Sequence, residues 1–167
     1  MKKLIIGLII LGLTTVSFAQ EKEIELAEVE VLGVNYKYLN AVGDSEVARP
    51  VRMLEQKVAT FDLKSLDNYE DEEHEYYVYF KIPQGKILAV YGTDGEIIRT
   101  SERFKDVSLP LDVSNAIVRK YPGWKISSDI YLVTYRKNGA LKKTYKLFLE
   151  KDGNHKRVKT DNKGKFI

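Results

Sequence analysis

One order of elements runs twice through this chain, about 60 residues apart. Each pass is a proline-started helix, then sheet-forming segments, then an Asp-Gly turn into a short strand. The first pass has Arg49-Pro50-Val51, the strand Tyr76 to Ile82, and Asp94-Gly95 with a strand ending at Thr100. The second has Leu109-Pro110-Leu111, the strand Thr144 to Leu149, and Asp152-Gly153 with a strand ending at Thr160. Pro50 to Pro110 is 60 positions, Asp94 to Asp152 is 58, and Thr100 to Thr160 is 60. A unit with one amphipathic helix and a few strands cannot bury its apolar face alone, so repeated units share a core. The expected fold is therefore α+β: an antiparallel sheet with helices packed on one face. It is expected to divide into an arm, 20–43, and two helix-plus-meander units, 44–106 and 107–167.

Residues 1–19 have the form of a secretory signal. Lys2 and Lys3 precede an apolar run from Leu4 to Leu13, and Ser17-Phe18-Ala19 is a small-x-small cleavage site. The apolar run is short for a membrane span of roughly 20 residues. The expected mature chain begins at Gln20 and is exported, periplasmic or secreted. No Cys follows Ala19, so it is not expected to be a lipoprotein. The chain has no Cys at all, which removes disulfides, a thiol nucleophile and a thiolate metal site.

The formal charge is +3, or +1 without Lys2 and Lys3, but it is unevenly placed. Residues 20–80 carry 15 acidic and 6 basic side chains, and residues 81–167 carry 9 acidic and 19 basic. Such an imbalance reads as mutual attraction of the halves, as a basic face seeking an acidic partner, or as two solvated faces. Nucleic acid is not an expected partner, because the lysines are scattered along alternating strands rather than clustered.

From Glu21 to Val31 acidic and apolar residues alternate, the period of a strand or extended arm, and Val34 to Leu39 reads as its continuation. Val51, Leu54, Val58 and Phe61 recur at helical spacing behind Pro50. Asp67 to Glu75 is an acidic loop. Tyr76, Val78, Phe80 and Ile82 then alternate with Tyr77, Tyr79 and Lys81, and Gly-bearing turns lead into Lys86–Tyr91 and Glu96–Thr100 as an antiparallel meander. In the second unit Val113, Ala116, Ile117 and Tyr121 form one helical face, stopped by Pro122-Gly123, with Trp124 at the helix–sheet junction. Strands follow at Ile130–Arg136, Thr144–Glu150 and His155–Thr160, with Asn138-Gly139 as a hairpin signal and Phe166 folded back onto the body.

The residues that could carry chemistry are few. The acidic run around His74 offers oxygen ligands but has no Gly for the sharp turn of a calcium loop. His74 and His155 are the only histidines and stand in no zinc or Ser-His-acid pattern. No phosphate-binding glycine motif occurs. No catalytic, cofactor or metal residue is therefore assigned, and no enzyme activity is expected. The aromatics are the functional candidates. With Tyr76, Val78 and Phe80 in the core, Tyr77 and Tyr79 face outward. With Ile130 and Leu132 turned to the helices, Tyr131 and Tyr135 also face outward, joined by Phe148 from the next strand. Tyrosine-rich faces suit protein interfaces, and cross-strand aromatic pairs also stabilise sheets.

Leu109-Pro110, a helix ending Lys120-Tyr121-Pro122-Gly123-Trp124, then a strand, a hairpin and an Asp-Gly turn resemble the PepSY-like family of small exported proteins of Bacteroidetes. These are also called β-lactamase-inhibitor-like. The Asn35 to Leu39 segment is similar to flavobacterial members, and the resemblance spans roughly Asp44 to Ile167. It implies an antiparallel sheet with helices on one face, built from tandem units, and a protein that binds or restrains another. The fold-related β-lactamase inhibitory protein covers an enzyme with an aromatic sheet face, but its disulfides have no counterpart here. The expected function is a non-catalytic exported binding module, inhibitor-like or chaperone-like, acting on an envelope or secreted protein partner through the outer sheet face. The alternative is a periplasmic sensor for a peptide or glycan.

Overall fold

The computed structural model describes residues 35–44, 46–66, 69 and 75–167. The expected signal segment, residues 20–34 of the arm and most of the acidic loop with His74 lie outside the described residues.

Two short helices come first. Helix α1 spans Tyr36–Val42 and α2 spans Arg49–Ala59, with Pro50 in its first turn. Three strands follow, β1 (Tyr76–Ile82), β2 (Gly85–Tyr91) and β3 (Ile97–Lys105). Helix α3 (Leu111–Lys120) precedes β4 (Lys125–Arg136), β5 (Leu141–Lys151) and β6 (Asn154–Thr160). The six strands form one sheet in sequence order, every neighbouring pair antiparallel. Helix plus three strands thus occurs twice in the element order. Tight turns join the strands except between β3 and β4, where α3 crosses.

Alternation decides which side chains meet the helices. Phe80, Ile87, Phe104, Val133, Leu147 and Leu149 lie on the inner face, packed with Val51, Leu54 and Val58 of α2 and with Val113 and Ile117 of α3. Fully burying an aliphatic or aromatic side chain contributes about 1.5–3 kcal/mol, so this layer holds the helices down. A tyrosine row completes it. Phe104, Tyr131 and Tyr145 stand in register on β3, β4 and β5, and the Tyr131 and Tyr145 rings stack 4.5 Å apart. The Tyr91 hydroxyl donates to the Val58 carbonyl at 2.7 Å, tying β2 to the end of α2. The C-terminal turn is held by glycine: Gly164 has φ 76°, and a Cβ there would collide with the Asp112 carbonyl of α3. Phe166 then folds back edge-on to Tyr121, as expected.

The structure corrects several expectations. Residues 36–39 are helical, not extended. Tyr38 and Val42, four apart, are the buried pair, and a short apolar window fits either period. The Asn35 side chain anchors the start, donating to Ala59 and Gly95 carbonyls and accepting from the Ile97 amide. Strand β3 runs five residues past Thr100, and β4 begins at Lys125 with an irregularity between Ile126 and Ser128.

Candidate functional site

The sheet face turned away from the helices gathers what the strands send outward. Tyr77 and Tyr79 of β1 are 58% and 59% exposed. Tyr77 is committed locally. Its hydroxyl donates to Glu75 at 2.8 Å and accepts from Arg99 at 2.8 Å, while Arg99 also pairs with Glu75 at 3.1 Å. Tyr77 and Arg99 flank Val90 in register, which accounts for a valine buried on the outer face. Tyr79 stands beside Lys81, whose ammonium is 5.9 Å from the ring centroid. Phe148 is half-buried, with the Arg157 guanidinium 5.5 Å from its ring centroid. Ile130 and Leu132 form a half-buried apolar strip between these aromatics.

Tyr131 and Tyr135 do not belong to this face. They are 1% and 4% exposed and sit in the core. The expectation turned Ile130 and Leu132 inward, but β4 has the opposite parity. Tyr131 is opposite Phe104 on one side and Tyr145 on the other, both inner residues, and Tyr135 meets Tyr38 of α1 edge-on at 5.3 Å.

Cations outnumber acids on the outer face, where the described acids include Glu75, paired with Arg99, and Glu150, opposite His155. A cavity of 690 Å³ opens beside Phe148, with Arg103, Lys146, Arg157 and Lys159 around it. Cavities of 410, 390 and 620 Å³ lie near Lys142, near Lys86 and near Lys156. Every charged side chain lining these four is a lysine or arginine, apart from the imidazole of His155; no aspartate or glutamate contributes. The register sets like charges directly opposite each other: Lys81 with Lys86, Lys86 with Arg103, and Lys146 with Lys159. Such pairs cost free energy rather than supply it.

Two buried acids lie on the other side of the sheet. Glu55 of α2 and Glu102 of β3 are 1% and 2% exposed. Glu102 Oε1 accepts from the Tyr38 hydroxyl at 2.9 Å and from Thr100 Oγ1 at 2.7 Å. Glu55 Oε1 and Glu102 Oε2 meet no donor from elsewhere in the protein. The two carboxyls are hydrogen-bond neighbours, so one proton held between them satisfies both. The hydroxyls at Glu102 favour its ionised form, which leaves the proton on Glu55 as the donor. Burial and then the Glu102 charge push Glu55 up to about 8, against Lys143 and Arg52. Burial also raises Glu102, while its hydrogen bonds oppose the shift. Lys143 donates to the Val42 carbonyl at 2.7 Å, holding the end of α1 over this pair. A shared-proton carboxyl pair is the arrangement of aspartic proteases. Here Tyr38 seals it from water and substrate, so its role is in the core. Sequence reasoning missed it, although one signal was present: Glu55 interrupts the apolar stripe Val51, Leu54, Val58.

Asp129, at the start of the β4 core, is also buried and is pushed up to about 6, by burial first. His155 is exposed and stands opposite Glu150 across the β5–β6 hairpin. Among the described residues no group of three or more His, Cys, Asp or Glu is placed to hold a metal ion, and no helix is long and apolar enough to cross a membrane. Comparison with protein-family models gives no match, and comparison with curated proteins gives none.

Proposed function

We propose that this chain is an exported, non-catalytic binding module of PepSY-like type, built as two tandem units at 44–106 and 107–167. Its outer sheet face engages a protein partner in the envelope or medium, as an inhibitor or chaperone does. The carrying observation is the unequal use of one sheet. The inner face is filled by three helices, while the outer face keeps Tyr79, Phe148, Ile130 and Leu132 uncovered by any described helix. The repeated order of a helix and three strands supports the tandem reading. Export rests on residues 1–19 alone. A second reading, a periplasmic sensor for a small peptide or glycan, draws on the 690 Å³ cavity beside Phe148, a volume suited to such ligands.

Site-specific photo-crosslinking tests the binding face. A crosslinking side chain replaces Tyr79 or Phe148 on the outer face, or Met53 or Val118 on the helices, all in the native envelope. Crosslinks to a discrete partner are expected from the outer positions. Equal labelling from both sides of the molecule defeats the proposal.

A further inference from the structure

We infer that the occupant of the outer face is an acidic, extended segment of a partner polypeptide. Its carboxylates meet Arg103, Lys146 and Lys159, and its apolar side chains lie on Ile130, Leu132 and Phe148. This rests on the binding-face reading above and specifies the partner's chemistry.

Three observations carry it. First, three outer cations are not neutralised by the described residues. Among the described residues Arg103, Lys146 and Lys159 form no salt bridge, whereas Arg99, nearer the start of the same strand as Arg103, is paired with Glu75. Second, Lys146 faces Lys159 and Lys86 faces Arg103 in register, a repulsion that a bound anion converts into attraction. Third, the cations frame an apolar strip. Along one cross-strand row Lys105, Ile130, Lys146 and Lys159 succeed one another, and along the next Arg103 stands beside Leu132. Neighbouring strands are about 4.8 Å apart, so the β3 and β5 cations stand about 10 Å apart across the β4 strip. An extended chain keeps every second side chain on one face, about 6.6–6.8 Å apart, so a segment that alternates apolar and acidic residues along that one face rests the apolar ones on the strip while the carboxylates reach either flank. A phosphate-rich surface or polyanionic glycan would use the cations and leave Ile130 and Leu132 without a function.

The test uses the purified full chain and labelled peptides of roughly twelve residues, long enough to cross the sheet. The Glu-Val peptide repeats Val-Ser-Glu-Ser, the Lys-Val peptide repeats Val-Ser-Lys-Ser and the all-Glu peptide repeats Glu-Ser, so that each presents its named residues on one face. The Glu-Val peptide is expected to bind at least about tenfold tighter than either other, with affinity falling as salt rises. Arg103→Gln/Lys146→Gln should weaken it about tenfold, while Lys57→Gln/Lys64→Gln, on the helix side, leaves it unchanged. Ile130→Ser/Leu132→Ser should abolish the preference over the all-Glu peptide. Retained circular dichroism of each variant confirms that the loss is one of binding.

Equal binding of the Lys-Val peptide overturns the inference, as does equal binding of vesicles rich in phosphatidylglycerol. Self-association of the chain that Arg103→Gln/Lys146→Gln abolishes assigns the face to a second copy instead. Peptide binding that appears only when Glu21, Glu23, Glu25, Glu28 and Glu30 are all changed to Gln assigns it to the chain's own acidic segment. Either result overturns the partner assignment. A partner crosslinked at Tyr79 or Phe148 whose contact segment is not acidic defeats this inference and leaves the binding-face reading intact. Absence of any crosslink defeats both.

Discussion

Glu102 and Arg103 are adjacent in sequence and belong to opposite regimes of electrostatics. Strand alternation sends Glu102 inward to Glu55 and Arg103 outward to Lys86. Inside, two acids crowd together where water cannot screen them, so the protein resolves the conflict with a proton. Outside, cations crowd together where water and salt do the screening, so the conflict persists at low cost and leaves the face ready for an anion. One sheet thus separates a closed charge problem, solved within the core, from an open one that the described residues do not neutralise.

The largest way to break this comparison is to remove the inner pair's acceptor. Glu102→Ala strands the Tyr38 and Thr100 hydroxyls and leaves Glu55 without its partner. It should cost about 3–5 kcal/mol, measured by urea denaturation at neutral pH. A loss under about 1 kcal/mol would mean that the pair is not closed as described.

The pH dependence sharpens the same point. A Glu carboxyl ordinarily releases its proton near 4.5, whereas Glu55 holds its own up to about 8. Between those values the folded chain carries a proton that the unfolded chain has lost. The contribution is therefore fully present below about 4.5 and is lost as pH climbs to about 8. Asp129 acts in the same direction between its ordinary 3.8 and about 6. The slope for one proton approaches about 1.4 kcal/mol per pH unit. Glu55→Gln/Glu102→Gln keeps amide donors and acceptors in place and removes the titration. Its stability curve should be flat from about pH 6 to 8, where that of the native protein declines. Parallel curves would show that the inner pair does not hold the proton.

Most elements were legible where local chemistry and the final packing agree. The stripe Val51, Leu54, Val58 became the buried side of α2, and the alternation from Tyr76 to Ile82 became β1. The Asp-Gly and Asn-Gly turns were readable because Gly95, Gly139 and Gly153 adopt φ of 77°, 87° and 76°, which side chains rarely tolerate. What was hidden depended on tertiary partners. Residues 101–105 look polar as a segment, because β3 buries Thr100 and Glu102 beside Phe104. Thr100 bonds Glu102 on the same strand, but the other partners of Glu102 come from α1 and α2. With β3 cut short, Glu102 had no face, and Glu55 was a lone irregularity in a helix stripe. The parity of β4 was hidden for a similar reason. Ile130/Leu132 and Tyr131/Tyr135 are both credible inner sets, and the choice lies with Phe104 and Tyr145 on the adjoining strands. Of the outer residues, Tyr77, Tyr79, Phe148 and Lys146 were readable from alternation, whereas Arg103 and Lys159 join Lys146 only through the register.

The smallest effect in stability is the most discriminating between the two faces. Lys146 stands opposite Lys159 on β6 and beside Ile130 on β4. Lys146→Glu replaces a like-charge pair with an opposite one at a half-buried position opposite the exposed Lys159. It should therefore stabilise the free protein by about 0.5 kcal/mol and raise Tm by about 1–2 °C in thermal denaturation. The same substitution puts a carboxylate in the frame and should weaken the Glu-Val peptide more than tenfold. A variant that is both more stable and less able to bind places the cation crowding in the service of a ligand. A variant that loses stability would mean that Lys146 is neutralised by the protein itself, and the outer face would then be as closed as the inner one.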